Sequence, residues 1–297
     1  MSFILGTIFP EGQLIDFFSN SSNFISPPDK GKTDQSVSTV GWGTTINYQP
    51  TQIEKNHYPT ASGSTLALDL NTGLILDSLD KNEKLPVASL TKLMTAYLAL
   101  KSLPLDKVIT IPPFEVREGD SQAGLSTGEQ LTTESALYGL LLNSGSDAAQ
   151  TIAVNVSGSQ ASFVESMNQA AISLNLKETH FSNPVGWDDQ SNYSSANDIA
   201  ILARILLSNE TFRRIVSTKS STIYTTAGRA VPLTNTNLLL GDRFVGVKTG
   251  FTNGAGQCLV SSYQEDNHNI LNVLIGSSDR FGETKGYLDW IKSQFVW

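Results

Sequence analysis

Ser89 and Lys92 stand three residues apart in the run Pro86-Val87-Ala88-Ser89-Leu90-Thr91-Lys92. A serine hydroxyl is a poor nucleophile until a base takes its proton. On a helix this spacing sets the base on the same face as the hydroxyl. Lysine serves as a base only when neutral, which calls for burial and a neighbouring cation. Bringing an ammonium from about 10.4 down to about 8 takes roughly 3 kcal/mol of differential interaction, within reach of those two effects together. Lys248, in Lys248-Thr249-Gly250, is the candidate neighbour, and Ser144, in Ser144-Gly145-Ser146, offers a second hydroxyl. The three segments form a set for serine acyl transfer without histidine.

The elements around these residues must do the positioning. Residues 89–103 carry Leu90, Leu93, Met94, Tyr97 and Leu98 with scarcely a charge after Lys92, the pattern of a helix buried on most sides. Ser-x-x-Lys alone also fits a helix N-cap with a solvated lysine, but an unpaired ammonium in so apolar a helix is costly. Phe244-Val245-Gly246-Val247 reads as a strand leading into Lys248. Its alternation should aim Lys248 and Thr249 to opposite sides, while Gly246 and Gly250 admit a close backbone or ligand. An edge strand with a solubilising lysine is the other reading of a lone Lys-Thr-Gly.

Further helices are predicted at 133–143, 147–156, 161–175 and 196–207, the last with Ser195 as N-cap and Asp198 in its first turn. Strands are predicted at 222–226, 245–251, 256–263 and 269–275, the last two pairing across Glu265-Asp266-Asn267. A closing helix at 282–295 should pack Tyr287, Leu288 and Ile291 onto the sheet. The folded domain is expected to open near Thr65 with a hairpin turning at Asn71-Thr72-Gly73. Residues 19–64 shift to Ser, Asn, Thr, Pro and Gly, so residues 1–64 read as an extension or tether. Residues 65–297 read as one domain with no further C-terminal domain. Strands at both ends with helices between them imply an α+β architecture whose termini join one antiparallel sheet.

Composition narrows the functional classes. With 297 residues, 39% of them hydrophobic and 16% charged, the chain can bury a sizeable core. Its 20 Lys and Arg against 28 Asp and Glu give a net charge of -8 with no basic cluster, so nucleic acid is not an expected partner. The single cysteine, Cys258, excludes an internal disulfide and suits a buried strand position. His57, His180 and His268 fit no metal-ligand spacing, and no metal or cofactor is expected. The apolar run at residues 3–9 is too short to span a bilayer, follows no basic residue and meets Glu11 directly, so it is not a signal peptide. The first basic residue is Lys30. An export signal therefore lies upstream or the start is atypical, and any membrane attachment would come from the N-terminal side.

Longer strings around the three segments carry a resemblance: residues 86–96, Leu140-Leu141-Leu142-Asn143-Ser144-Gly145-Ser146-Asp147-Ala148-Ala149, Phe181-Ser182-Asn183-Pro184-Val185-Gly186, and Gly246-Val247-Lys248-Thr249-Gly250-Phe251-Thr252. From about Thr65 to Trp290 the chain resembles the D-alanyl-D-alanine carboxypeptidases, low-molecular-mass penicillin-binding proteins of the β-lactamase/transpeptidase-like fold. The resemblance implies that Ser89 attacks the carbonyl between two terminal D-alanines of a peptidoglycan stem peptide, that Lys92 accepts its proton, and that Ser144 relays a proton to the departing D-alanine. It implies further that Lys248, Thr249 and Gly250 face the terminal carboxylate and that the backbone N–H groups of Ser89 and Phe251 form the oxyanion hole. Arg280 falls where relatives have an arginine that helps hold that carboxylate, a surface ion pair being the competing role. β-Lactams would acylate Ser89, and the site would face the outside of the cytoplasmic membrane.

One position departs from the pattern. Ser146 stands where the family has asparagine, giving one short hydroxyl in place of an amide that donates and accepts at once. We expect Ser146 to keep a hydrogen bond near Lys92, with weakened activity. The rivals are a β-lactamase, for which Glu165, Glu178 and Glu210 sit in no suitable motif, an endopeptidase on D-alanyl cross-links using the same machinery, and a weakly active peptidoglycan or penicillin binder.

Overall fold

The central sheet draws its strands from both ends of the chain. In the computed structural model, residues 49–296 are described apart from 55, 242, 266 and 267; the expected tether over residues 1–48 lies outside them. The elements in order are β1 (Thr51–Gln52), β2 (Ser64–Asp69), β3 (Ile75–Leu79), a 3-10 turn (Ala88–Thr91), α1 (Lys92–Ser102), β4 (Val108–Thr110), β5 (Gln130–Thr132), α2 (Thr133–Leu141), α3 (Ser146–Ser157), α4 (Gln160–Ser173), α5 (Ala196–Leu207), α6 (Glu210–Val216), β6 (Ser220–Tyr224), β7 (Ala230–Thr234), β8 (Phe244–Thr252), β9 (Gly256–Glu265), β10 (His268–Ser277), α7 (Arg280–Gln294) and β11 (Phe295–Val296). Five strands pair antiparallel in the order β3-β2-β10-β9-β8. The fold is the expected α+β arrangement.

Alternation along β10 splits the core in two, as the pleat requires. Leu271, Val273 and Ile275 face the helical body, whereas Ile270 and Leu274 face α7 with Tyr287, Leu288 and Ile291. Every residue of α1 from Lys92 to Ala99 is buried, so this helix runs through the middle of the helical body. The expected hairpins form: Asp69 caps the first turn by accepting from the N–H groups of Asn71 and Thr72, and β9 and β10 pair from His268–Glu265 onward. Cys258 is fully buried on β9, and burial pushes its thiol up to about 11.

The packed body begins before Thr65. β1 pairs with β11, Tyr58 stacks on Tyr287 with centroids 5.0 Å apart, and the Ser62 hydroxyl donates to Glu283 at 2.8 Å. Thr60 donates to the same carboxylate. The serines and threonines that give this stretch a loose composition supply hydrogen bonds to a partner more than 200 positions away, which composition cannot reveal. The sequence reading also passes over α6, the small pair β4–β5, and β7, the partner of the strand expected at 222–226 and found at Ser220–Tyr224. Each is too short to establish a period; α6 has seven residues behind an Asn209 cap that accepts from Phe212 N–H at 2.9 Å.

Candidate active site

Ser89 lies inside the 3-10 turn that precedes α1 and is not the cap of a longer helix. The geometry the spacing calls for is nonetheless present: Lys92 Nζ donates to Ser89 Oγ at 3.0 Å. Its second bond, to the Val185 carbonyl at 2.7 Å, fixes the amine from the opposite side. That carbonyl is itself braced. Asn183 Oδ1 accepts from the N–H groups of Val185, Gly186 and Trp187 at 3.1, 2.7 and 3.1 Å, and Thr95 donates to the Pro184 carbonyl at 2.7 Å. The run Ser182-Asn183-Pro184-Val185-Gly186 is therefore a second wall of the site, built so that one backbone carbonyl faces the lysine. Lys92 is 1% exposed. Burial lowers its pKa to about 7, against the opposing pull of Asp120 and Asp147.

Ser144 occupies the loop between α2 and α3 in a left-handed conformation, φ 57°, and is buried. The loop is held by Asp147, a buried carboxylate accepting from the N–H groups of Ala123, Gly124 and Leu125 at 2.9 Å each and of Ala148 at 2.8 Å. Ser146 N–H adds a bond to the Ser121 carbonyl at 2.8 Å. Asp120, next in that segment, accepts from Trp187 Nε1 at 2.7 Å, and the Arg117 guanidinium stacks over the Trp187 ring at 3.8 Å. None of Asp120, Asp147 or Trp187 is singled out by the sequence reading. Only the position of Asp147 after Ser144-Gly145-Ser146 could have pointed to it.

Ser146 opens α3 and is 1% exposed. Among the described residues the hydrogen bonds of Lys92 Nζ go to Ser89 and Val185, so the Ser146 hydroxyl has no direct bond to the lysine. Ser146→Ala is expected to slow acylation about five- to tenfold, roughly one hydrogen bond of 1–1.4 kcal/mol, and Ser146→Asn to speed it. Acylation rates of the two variants against wild type decide this, and an unchanged alanine variant would remove the hydroxyl from the site.

The third segment forms the end of β8. Lys248 and Thr249 are both buried, at 1% and 4% exposure, although adjacent strand residues point to opposite faces. β8 is the edge strand of the sheet, as that reading has it, but both of its faces are covered here and the lysine is buried rather than solvated. Lys248 Nζ donates to the Thr249 carbonyl at 2.9 Å, and the Thr249 hydroxyl lies 2.6 Å from that of Thr236. Gly250 is closely packed: a Cβ there would sit 3.2 Å from Ala88 Cβ, Ser89 N and Val87 O, so the turn would have to give by a few tenths of an ångström to admit one. β8 thus passes directly along the nucleophile turn and brings Phe251, 61% exposed, beside it. Arg280 donates from Nη1 to the Gly250 carbonyl at 2.8 Å and forms no ion pair among the described residues. Its position is tied to the third segment, not to a surface carboxylate.

Burial, then the charges of Lys92 and Arg280, hold Lys248 well below the ordinary ammonium range. Lys248 therefore resists protonation while Lys92 is charged. A nucleophile, a buried amine in contact with it, and a strand end that carries a second buried lysine, a threonine hydroxyl and the bond from Arg280 thus come together, the makeup of a serine–lysine acyl-transfer site.

Comparison with known proteins agrees with this class. Residues 50–279 match the family described as D-alanyl-D-alanine carboxypeptidase. The chain is 34% identical over 244 residues to the D-alanyl-D-alanine carboxypeptidase DacF of Bacillus subtilis, covering 78% of this chain and 62% of that protein. It is also 34% identical over 241 residues to the D-alanyl-D-alanine endopeptidase of Pseudomonas aeruginosa, covering 77% and 74%. The crystal structure of the Streptomyces K15 DD-transpeptidase aligns at a TM-score of 0.75 with 30% identity, over 80% of this chain and 99% of that one. The chain belongs to the D-alanyl-D-alanine carboxypeptidase family. It spans a little under two thirds of the length of DacF.

Proposed function

We propose that the protein is a serine-type D-Ala-D-Ala carboxypeptidase that removes the terminal D-alanine from peptidoglycan stem pentapeptides. The observation that carries this reading is the 3.0 Å contact between Ser89 Oγ and a buried amine whose pKa is lowered to about 7. Ser89 Oγ attacks the carbonyl of the penultimate D-alanine while its proton passes to neutral Lys92. The negative oxygen that develops is met by the backbone N–H groups of Ser89 and Phe251. Collapse breaks the peptide bond, and the leaving amine takes a proton from Lys92 by way of Ser144. Water, deprotonated by Lys92, then cleaves the ester and restores Ser89. Lys248, Thr249 and Arg280 hold the terminal carboxylate. A β-lactam acylates the same serine, and the substrate places the enzyme on the cell-wall side of the membrane.

The carboxylates weighed for a β-lactamase speak against that rival. Glu165 is exposed on α4, Glu178 pairs with Lys84 at 3.3 Å, and Glu210 is exposed at the start of α6. Endopeptidase action on cross-links remains the second reading, favoured by the likeness to the Pseudomonas aeruginosa endopeptidase. Incubation with labelled penicillin followed by mass spectrometry should place the label on Ser89, and a pentapeptide should release D-alanine. Labelling without release, together with cleavage of a cross-linked dimer, would favour the endopeptidase. Absence of labelling would overturn the acyl-transfer reading.

A further inference from the structure

We propose that Thr236 is the positioning residue that makes Thr249 a donor to the substrate's terminal carboxylate, and so sets the requirement for a free carboxyl end. The proposal rests on the carboxypeptidase reading and adds to it a residue outside the three motifs.

The Thr236 and Thr249 hydroxyls are 2.6 Å apart, close enough that one must donate to the other. A hydroxyl has one proton. If Thr249 donates to Thr236, that proton is spent and only lone pairs face an incoming carboxylate, which repels them. If Thr236 donates, the Thr249 proton is free for the ligand. The order of the pair therefore decides whether the strand end attracts or repels an anion.

Thr236 is held where it can play this part. It sits in Asn235-Thr236-Asn237, between β7 and β8, and both flanking amides are buried and paired. Asn235 Nδ2 donates to the Val216 and Thr218 carbonyls at 3.2 and 3.1 Å, and its Oδ1 accepts from Asn237 N–H at 2.9 Å. Asn237 Nδ2 donates to the Gly246 carbonyl at 3.0 Å, pinning the loop to β8 itself. Thr236 N–H donates to the Leu142 carbonyl at 3.1 Å, and the neighbouring Thr234 N–H to Asn143 Oδ1 at 2.7 Å. The same short segment thus joins the loop carrying Ser144 to the strand carrying Thr249. A loop fixed through four side-chain amide bonds presents one half-exposed hydroxyl, and that hydroxyl meets Thr249.

The test compares two peptides ending in D-Ala-D-Ala, one with a free terminal carboxylate and one amidated there, by the rate of Ser89 acylation. Wild type should prefer the free acid. Thr236→Val leaves Thr249 its proton but removes the partner that fixes the direction of that proton, and should lower kcat/KM for the free acid about three- to tenfold, the range of one neutral hydrogen bond. The loss should be carried by KM, and the amidated peptide should react as before. Thr236→Ser should stay within about twofold of wild type for both. Equal losses on both peptides, an unaffected valine variant, or a serine variant as poor as valine would each overturn the assignment. So would a wild type indifferent to the carboxylate, while leaving the carboxypeptidase reading intact. A wild type unreactive toward both peptides and toward penicillin would overturn that reading and this inference with it.

Discussion

Replacing Lys92 by methionine should reduce acylation of Ser89 by about 10³- to 10⁴-fold and at the same time change the sign of the stability difference from wild type between pH 7 and pH 10. The first effect follows from removing a general base in contact with the nucleophile. The second follows from linkage. The Lys92 amine has its pKa lowered from the ordinary 10.5 to about 7 in the folded protein. Between these values the unfolded chain binds the proton and the folded one does not, so wild-type stability rises with pH across that window. Below about pH 7 the buried ammonium costs the fold its full penalty, on the order of 5 kcal/mol. Above pH 10 that penalty is gone, and the variant lacks the bond to the Val185 carbonyl, a loss of about 1–3 kcal/mol. Lys92→Met should therefore be the more stable protein at pH 6 and the less stable at pH 10. Urea unfolding at pH 6, 8 and 10 measures this, and parallel curves for the two proteins would refute it. Lys248 keeps its burial but loses a like charge in the variant, so the pH dependence weakens without vanishing. The wild-type rate should rise near pH 7, where Lys92 gives up its proton.

The site was legible in the sequence only as chemistry. Spacing and apolar surroundings make Ser89, Lys92 and Lys248 candidates, each with a structural alternative, and the resemblance carried by the longer strings is what singles them out together. What orients them is not local. Asn183 presents the Val185 carbonyl, Asp147 gathers the 123–125 backbone, and Thr236 meets Thr249. Each acts through a hydrogen bond across the fold, and no period or composition marks it. Thr236 sits between two asparagines whose carbonyl partners appear only when β8 is laid beside α6. The fold shows the same division. Long amphipathic or alternating runs such as α5 and β10 declare themselves, whereas β1, β4, β5 and α6 gain their stability from partners elsewhere in the chain. The stretch 49–64 is the sharpest instance, since its polar side chains have their partner in Glu283.

The same dependence on distant partners makes Gly186→Ala the substitution with the largest expected effect on the scaffold. Gly186 has φ +96°, and a Cβ on it would lie 2.0 Å from the Ala88 carbonyl oxygen, 2.5 Å from its carbon and 3.0 Å from Ser89 N. These are backbone atoms of the nucleophile turn, so no side-chain rotation relieves the contact. Either the 183–187 wall or the turn must move. The left-handed backbone costs about 1–2 kcal/mol for an L side chain, and forced displacement in a packed site adds about 1–3 kcal/mol. A total of about 2–5 kcal/mol should lower the melting temperature by about 4–20 °C for a body of this size. Acylation should fall by about 10²-fold or more, since a shift near 1 Å between nucleophile and base is enough. Gly158→Ala separates the two causes. Gly158 caps α3 at φ +80° with nothing within 4 Å of its would-be Cβ, so it bears the backbone cost of about 1–2 kcal/mol alone and should acylate at the wild-type rate. Scanning calorimetry and penicillin acylation on both variants measure the difference. If Gly186→Ala matched Gly158→Ala in both readouts, the wall formed by 183–187 would be shown to yield freely, and its role in holding Lys92 against Ser89 would fall.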